Sequence, residues 1–187
     1  MKTVKQNKTI AIFCGSRLGK NAIYKNEVSK MAKLLSENGY SVIYGGGKIG
    51  LMGIIYKIFI KFNSKIIGII PKFLNKPKIS QPNTKTLIIV NSLHQRKILM
   101  IKKADAFLIL PGGFGTLDEL FEVLTLNQLN LYNKPVVIFN ISNYWKNLKL
   151  LIQTMHKEGF LYKKDIENIN WVNNNKKLIN TLRTLSF

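Results

Sequence analysis

Two acidic residues stand directly behind a glycine-rich turn in the segment PGGFGTLDE, residues 111–119. The apolar stretch DAFLIL precedes this turn and helically spaced leucines follow it, so we place the turn where a strand gives way to a helix. The first N–H groups of a helix lack intrahelical partners and, with the helix dipole, favour a bound anion. Glycines at such a turn let the anion approach the backbone closely. The segment therefore predicts a phosphate site with the Glu119 carboxylate beside it.

The other side chains of this segment leave alternatives open. Glu119 and Glu122 are three residues apart and share a helix face. For Asp118 and Glu122, a simple interaction with the helix dipole explains an acid in the first turns equally well. Thr116 either caps the helix or donates a hydrogen bond to a phosphate oxygen. We favour a role at the ligand for Glu119, because its distance from the glycines brings its carboxylate beside whatever the loop holds.

A second candidate is Arg96, in the segment SLHQRK that begins with the predicted N-cap Ser92. The planar guanidinium of arginine binds a phosphate or a carboxylate through two parallel hydrogen bonds. Because Arg96 begins a helix on the glycine-loop side of the predicted sheet, we expect it to have an anionic partner. The alternative is a solvated surface arginine.

Apolar runs alternate with helical patterns along the whole chain. The predicted strands are residues 9–13, 41–44, 65–70, 86–90, 105–110, 135–140 and 168–172, and the predicted helices are residues 22–37, 51–62, 93–103, 116–129, 144–157 and 176–185. Strands of mostly Ile, Val and Phe without polar alternation are typical of a parallel sheet covered on both faces. We therefore predict an α/β fold: a single-domain, Rossmann-like, doubly wound parallel sheet with helices on both faces, spanning residues 1–187.

Three loops of this fold converge where ligands bind in open parallel sheets, outside the carboxyl ends of the strands. They are residues 14–17, 45–53 and 111–119, and their candidate substrate contacts include Gly15, Ser16, Gly46, Gly47, Met52 and Gly112. The run GGGKIGLMG matches neither the dinucleotide fingerprint nor the P-loop, and its glycines alternatively serve only tight turns. The irregular segment 71–82, with three prolines, is predicted to be a lid or an edge of the site.

Composition excludes several classes of protein. The chain has 187 residues, 46% of them hydrophobic, and a single cysteine, Cys14, so it contains no intramolecular disulfide and we expect a cytoplasmic protein. No apolar run approaches the ~20 residues of a membrane span, and no metal-binding set or cofactor motif is present. The net charge of +20 comes mostly from scattered lysines that accompany abundant Asn and Ile. We interpret it as compositional drift, and therefore do not expect nucleic acid as a partner.

Four motifs, in this order and spacing, resemble those of the LOG family, the cytokinin riboside 5'-monophosphate phosphoribohydrolases, which are often mislabelled as lysine decarboxylases. They are CGS at residues 14–16, YGGGKIGLMG at 44–53, HQRK at 94–97 and PGGFGTLDE at 111–119. The likeness runs from about Thr9 to Phe160. It implies hydrolysis of the N-glycosidic bond of a purine nucleoside 5'-monophosphate to free base and ribose 5-phosphate, in a Rossmann-like dimer without a cofactor.

The resemblance also assigns roles to residues. Arg96 and Glu119 would be the catalytic pair, and further substrate contacts would come from Lys97, Gly113, Gly115, Thr116 and Thr125. Two positions depart from the family: Leu93 replaces a methionine, and Lys78 stands where a glutamate that contacts the substrate is expected. The homodimer is what the resemblance implies, and the apolar helices 51–62 and 120–131, which exceed what one sheet face needs, agree with it. The physiological nucleotide stays open, as do two other functions: a nucleotide carrier or sensor without catalysis, and nucleic-acid binding.

Overall fold

The computed structural model describes residues 8–82 and 86–185. Its centre is a seven-stranded parallel sheet in the order β4-β3-β2-β1-β5-β6-β7. The strands are β1 (Thr9–Phe13), β2 (Ser41–Tyr44), β3 (Ile66–Pro71), β4 (Leu87–Val90), β5 (Ala106–Ile109), β6 (Val136–Phe139) and β7 (Ile169–Val172). The helices are α1 (Ala22–Glu37), α2 (Gly50–Lys61), α3 (Leu93–Lys103), α4 (Phe114–Gln128), α5 (Lys146–Lys157), α6 (Lys163–Glu167) and α7 (Asn175–Thr184).

Helices cover both faces of this sheet, as a parallel sheet of apolar strands requires. Along β1, Ile10 and Ile12 are buried on the face covered by α1, α2 and α7, whereas Ala11 and Phe13 are buried on the face covered by α3, α4 and α5. The predicted fold class, a doubly wound α/β sheet, is confirmed.

Most predicted elements agree with the structure within two residues, and the differences have local causes. Helix α4 begins at Phe114, before the predicted start at Thr116. Helix α5 begins at Lys146 and not at Tyr144, because Ser142 and Asn143 adopt positive φ angles of 50° and 59°. Helix α6 was not predicted, because its five residues are too few to show a helical period. No described helix has both the length and the apolarity needed to cross a bilayer.

The strand order reverses between β1 and β5, which are neighbours in the sheet although three strands and three α-helices lie between them along the chain. Chains leaving the carboxyl ends of these two strands therefore diverge and open a crevice. The loops after β1 and β5 lie at this crevice, and the loop after β2 lies next to β1. The fold thus brings together the three loops that the sequence singled out.

Candidate active site

A cavity of about 740 Å³ lies at the carboxyl ends of the central strands. This volume is within the range of small-molecule sites. Its walls come from the loop after β1 (residues 14–19), the loop after β2 with the start of α2, the turn after β5 with the start of α4, and Arg96 of α3.

Close backbone packing fixes the three loops against one another. The Gly15 N–H donates to the Pro111 carbonyl at 3.0 Å, which joins the loop after β1 to the turn after β5. Gly50 has a φ of +61°, and a Cβ atom there would overlap the backbone of Ser16 and Arg17. The start of α2 therefore packs directly on the loop after β1, and only glycine fits between them.

The floor of the cavity carries an ion pair between Arg96 and Glu119. Arg96 Nη2 lies 2.7 Å from Glu119 Oε1, and the two side chains are only 15% and 7% exposed. A Cβ atom on Gly45 would overlap Arg96 Nη2, so the glycine lets the guanidinium lie against the loop after β2. The Arg96 Nε–H is buried and has no partner among the described atoms. It is therefore free to donate a hydrogen bond to a ligand.

Burial changes the proton affinity of two groups in this floor. Burial raises the pKa of Glu119 to about 7, although the Arg96 guanidinium acts in the opposite direction. The carboxyl group therefore exchanges protons readily near neutral pH, as a general acid or base must. Burial, reinforced by the charge of Glu119, raises the pKa of the Cys14 thiol. Cys14 thus remains a thiol, and the thiolate needed for nucleophilic chemistry does not form there.

The turn after β5 forms an open helix N-terminus. Gly113 is the N-cap of α4, and the described contacts provide no partner for the N–H groups of Phe114 and Gly115. Cβ atoms on Gly113 and Gly115 would meet nothing within 4 Å, so open space lies beside this turn. A phosphate can use both the space and the donors. Because Gly113 caps the helix and Thr116 is buried within its first turn, the alternative that Thr116 is the cap is wrong.

The predicted site residues separate into two groups. Those that line the cavity are Arg96, Glu119, Gly15, Ser16, Gly47, Met52, Gly112, Gly113, Gly115 and Thr116. The residues outside its lining are Gly46, Lys97, Glu122 and Thr125. Lys97 instead pairs with Asp118 at 2.9 Å and with Glu122 at 2.6 Å, on the side of α3 and α4 away from the cavity. Lys78 is exposed and also lies outside the lining.

The lining residues that the predicted set lacks include three with polar side chains: Arg17, Tyr24 and Tyr144. The Tyr144 hydroxyl donates to the Gly112 carbonyl at 2.5 Å, and the rings of Tyr24 and Tyr144 meet edge to face at 5.7 Å. The sequence pattern predicts Tyr144 as the first residue of a helix, which hid its role in the turn before α5. Arg17 could have been found, because it directly follows Ser16 in a loop already assigned to the site.

The opposite end of the cavity is apolar. Ile49, Ile70, Leu74 and Ile79 line it. The segment 71–82, predicted to be a lid or an edge of the site, supplies two of these residues. It is held in place by backbone hydrogen bonds from Lys48 N to Ile79 O at 2.8 Å and from Gln81 N to Gly46 O at 3.0 Å. One end of the cavity thus offers free N–H groups and the other offers a hydrophobic surface.

No group of three His, Cys, Asp or Glu side chains that could hold a metal ion occurs within residues 8–82 and 86–185.

Comparison with known proteins identifies a matching family model and relatives of similar sequence. The family model described as "possible lysine decarboxylase" matches residues 52–182. A probable cytokinin riboside 5'-monophosphate phosphoribohydrolase of Oryza sativa subsp. japonica is 40% identical over 154 residues, covering 82% of this chain and 73% of the relative. A cytokinin riboside 5'-monophosphate phosphoribohydrolase of Arabidopsis thaliana is also 40% identical over 154 residues, covering 82% of this chain and 72% of the relative.

Solved structures share the fold at much lower identity. The molybdenum cofactor carrier protein of Chlamydomonas reinhardtii superposes with a TM-score of 0.71 and 14% identity, over 95% of this chain and 97% of that one. The molybdenum cofactor binding protein of Rippkaea orientalis gives a TM-score of 0.70 and 15% identity, over 96% of this chain and 98% of that one. At such identities the likeness extends to the fold alone.

Proposed function

The chain belongs to the LOG family of phosphoribohydrolases and is an N-glycosyl hydrolase, and from this premise we propose that its substrates are purine nucleoside 5'-monophosphates. Water replaces the base at C1' of the ribose, and the products are free base and ribose 5-phosphate. The observation that carries the proposal is the buried Arg96–Glu119 pair, 2.7 Å between Nη2 and Oε1, in the same cavity as an open helix N-terminus.

Each part of such a nucleotide has a matching region in the cavity. The free N–H groups at the start of α4 would hold the 5'-phosphate. The apolar end, with Ile70, Leu74 and Ile79, would pack against the base and any hydrophobic substituent on it. The ribose then spans the floor, where Arg96 and Glu119 lie. Within this proposal the physiological substrate is AMP, a cytokinin nucleotide or another purine monophosphate.

Glu119 would act on the anomeric carbon. Breaking the bond from C1' to the base builds positive charge on the ribose, as in glycoside hydrolysis. A carboxylate beside C1' stabilises this charge and accepts a proton from the attacking water, and a positioned base of this kind contributes ~10²- to 10⁴-fold in rate. Arg96 orients Glu119 through their ion pair, and its unpartnered Nε–H is available to a sugar hydroxyl. Phosphate binding at the far loop holds the reacting bond in place.

Lysine decarboxylation does not fit the same cavity. Pyridoxal chemistry requires a lysine that forms a Schiff base with the cofactor. Among the described residues that line the cavity, none is a lysine, although the chain is rich in lysine elsewhere. The description attached to the family model therefore does not describe the chemistry of this site.

The proposal includes a homodimer, formed through the outer faces of α3 and α4. Lys97 joins the two helices through Asp118 and Glu122. At helical spacing from this cluster lie Leu93 on α3 and Leu129 at the end of α4, which are 47% and 61% exposed. Apolar side chains of this size next to paired charges are typical of a surface that a second copy covers.

Product analysis tests the proposed reaction. The purified protein is incubated with AMP, isopentenyl-AMP, GMP and CMP, and the products are separated by chromatography. We expect free base and ribose 5-phosphate in equal amounts from the purine nucleotides. Binding of AMP without release of adenine from any of these nucleotides would instead favour the carrier or sensor function.

A further inference from the structure

The loop after β1 brings a second arginine to the cavity. Arg17 lines the cavity together with Ser16, and its side chain is exposed to the solvent that fills it. Neither the motifs of the family nor the sequence pattern assigns a function to this residue. Its position is nevertheless well determined by the contacts on either side of it.

Two backbone contacts hold the loop on the amino-terminal side of Arg17. The Gly15 N–H bonds to the Pro111 carbonyl at 3.0 Å, so the loop is joined to the turn that precedes the free N–H groups of α4. Gly50 packs against the backbone of Ser16 and Arg17 so closely that no Cβ fits. Arg17 therefore extends from a rigid part of the cavity wall, next to the N-termini of both α2 and α4.

On the carboxyl-terminal side, the loop is held at the same end of the cavity. Gly19 has a φ of +75° and packs against the Tyr24 ring. Tyr24 contacts Tyr144, whose hydroxyl bonds to the Gly112 carbonyl in the glycine turn. Both flanks of Arg17 are thus connected to the glycine turn.

The two arginines that line the cavity, Arg17 and Arg96, differ in whether they have an anionic partner. The Arg96 guanidinium is neutralised by Glu119. Within the part of the chain that the structure describes, no ion pair or side-chain hydrogen bond involves Arg17. Among the described residues that line the cavity, Arg17 is therefore the cation available to an anionic ligand, and it stands at the end where the helix N-terminus also favours an anion.

Resting on the proposed function, we propose that Arg17 binds the 5'-phosphate and is the residue by which the enzyme distinguishes a nucleotide from a nucleoside. The free N–H groups of α4 provide directed hydrogen bonds, and the guanidinium adds the charge that a phosphate dianion requires. A ligand without the phosphate leaves the Arg17 guanidinium in solvent, so Arg17 contributes nothing to the affinity for that ligand.

Calorimetric titration of three ligands tests this role. The variants are Arg17→Ala and Arg17→Lys, and the ligands are ribose 5-phosphate, AMP and adenine. Charge-assisted hydrogen bonds are strong enough that we expect Arg17→Ala to raise the Kd for ribose 5-phosphate by ~10-fold or more. The Kd for adenine should not change, and Arg17→Lys should recover part of the loss because it keeps the charge. For AMP we expect the same loss of affinity, measured in a Glu119→Gln background that prevents turnover.

Lys20→Ala is the matched control, because it removes the same charge from the same loop at a residue that does not line the cavity. It should leave all three affinities within about twofold, since exposed charges at a distance are screened by salt. The inference is overturned if Arg17→Ala binds ribose 5-phosphate as tightly as the wild type, if it loses adenine affinity to the same extent, or if Lys20→Ala has an equal effect. A wild-type protein that releases no base from any nucleotide would contradict the proposed function instead, whatever the Arg17 variants bind.

Discussion

At the scale of single residues, the orientation of one helix decides which cation reaches the cavity. Arg96 and Lys97 are neighbours in α3, and successive residues of a helix point about 100° apart. Arg96 consequently pairs with Glu119 inside the cavity, whereas Lys97 pairs with Asp118 and Glu122 on the outer side. The residue type indicated an anionic partner for Arg96, and the family resemblance assigned Lys97 to the same site. The rotation of the helix depends on the packing of its other residues, which the motif alone does not reveal.

Replacing Glu119 with glutamine tests the chemistry at the floor of the cavity. Glutamine keeps the size of the side chain but accepts no proton, so we expect kcat to fall by ~10²- to 10⁴-fold. The affinity for AMP and the midpoint of thermal unfolding should stay close to those of the wild type. Glu167→Gln, at an exposed ion pair on α6, provides the control. Turnover by Glu119→Gln at the wild-type rate would remove Glu119 from the mechanism.

The pH dependence of kcat provides a second test at the same residue. Burial raises the pKa of Glu119 to about 7, and only the ionised carboxylate accepts a proton. Activity should therefore be lost as the pH falls through about 7 and should be constant above it. Measuring kcat at saturating substrate separates this limb from the ionisation of the substrate phosphate, whose pKa is ~6.

The charge of Arg96 is expected to determine the pH at which kcat falls on the acidic side of its profile. Its guanidinium lowers the pKa of Glu119 and so partly offsets the effect of burial. In Arg96→Met this offset is absent, the pKa of Glu119 rises further, and the acidic limb of the kcat profile should move to higher pH. Arg96→Lys, which retains the charge, should leave the limb nearer its original position. A limb at the same pH in all three proteins would show that another group titrates.

At the scale of secondary-structure elements, the sequence pattern predicts helix α4 but not the residue at which it begins. The apolar period that reveals this helix begins at Leu117, so the predicted start, Thr116, was two residues late. The omitted residues, Phe114 and Gly115, are those whose N–H groups have no described partner. Helix ends are generally harder to place than helix centres, because the first turn need not bury any apolar residue. Here the end that was hardest to place is the part proposed to bind the phosphate.

The glycines of this turn are predicted to serve two different purposes. A Cβ atom on Gly112 would overlap Thr116 Oγ1, whereas one on Gly115 would meet nothing within 4 Å. We therefore expect Gly112→Ala to destabilise the protein by about 1–3 kcal/mol through overpacking. Gly115→Ala should instead stabilise it by up to about 1 kcal/mol, because alanine is the better helix former.

The affinity of the Gly115→Ala variant for ribose 5-phosphate tests the second of these purposes. If the space in front of Gly115 is reserved for a phosphate, then Gly115→Ala should weaken ribose 5-phosphate binding by ~10-fold while it raises stability. Urea unfolding and calorimetric titration of the same samples measure both quantities. A Gly115→Ala protein that is more stable and binds as tightly as the wild type would place the phosphate elsewhere.

At the scale of the whole molecule, the fold was accessible from the sequence, whereas association was not. Uninterrupted apolar strands alternating with helices determine a parallel sheet with two covered faces, and the crevice follows from the reversal of strand order between β1 and β5. The homodimer stays a prediction, because an exposed leucine does not by itself identify what covers it. The net charge of +20 on each copy also opposes association.

Substitutions on the outer faces of α3 and α4 decide whether a dimer forms there. Leu129 is 61% exposed and lies two helical turns beyond Glu122 of the Lys97 cluster, whereas Leu150 on α5 is 50% exposed. If α3 and α4 form the interface, sedimentation equilibrium should give twice the protomer mass of 21.4 kDa for the wild type and for Leu150→Glu, but a monomer for Leu129→Glu. Because repulsion between two cationic copies is screened by salt, the wild-type dimer should also strengthen between about 0.05 and 0.5 M salt. If Leu150→Glu dissociates the dimer and Leu129→Glu does not, the interface involves α5. If the wild type stays monomeric at both salt concentrations, no dimer forms and each cavity is built from one chain alone.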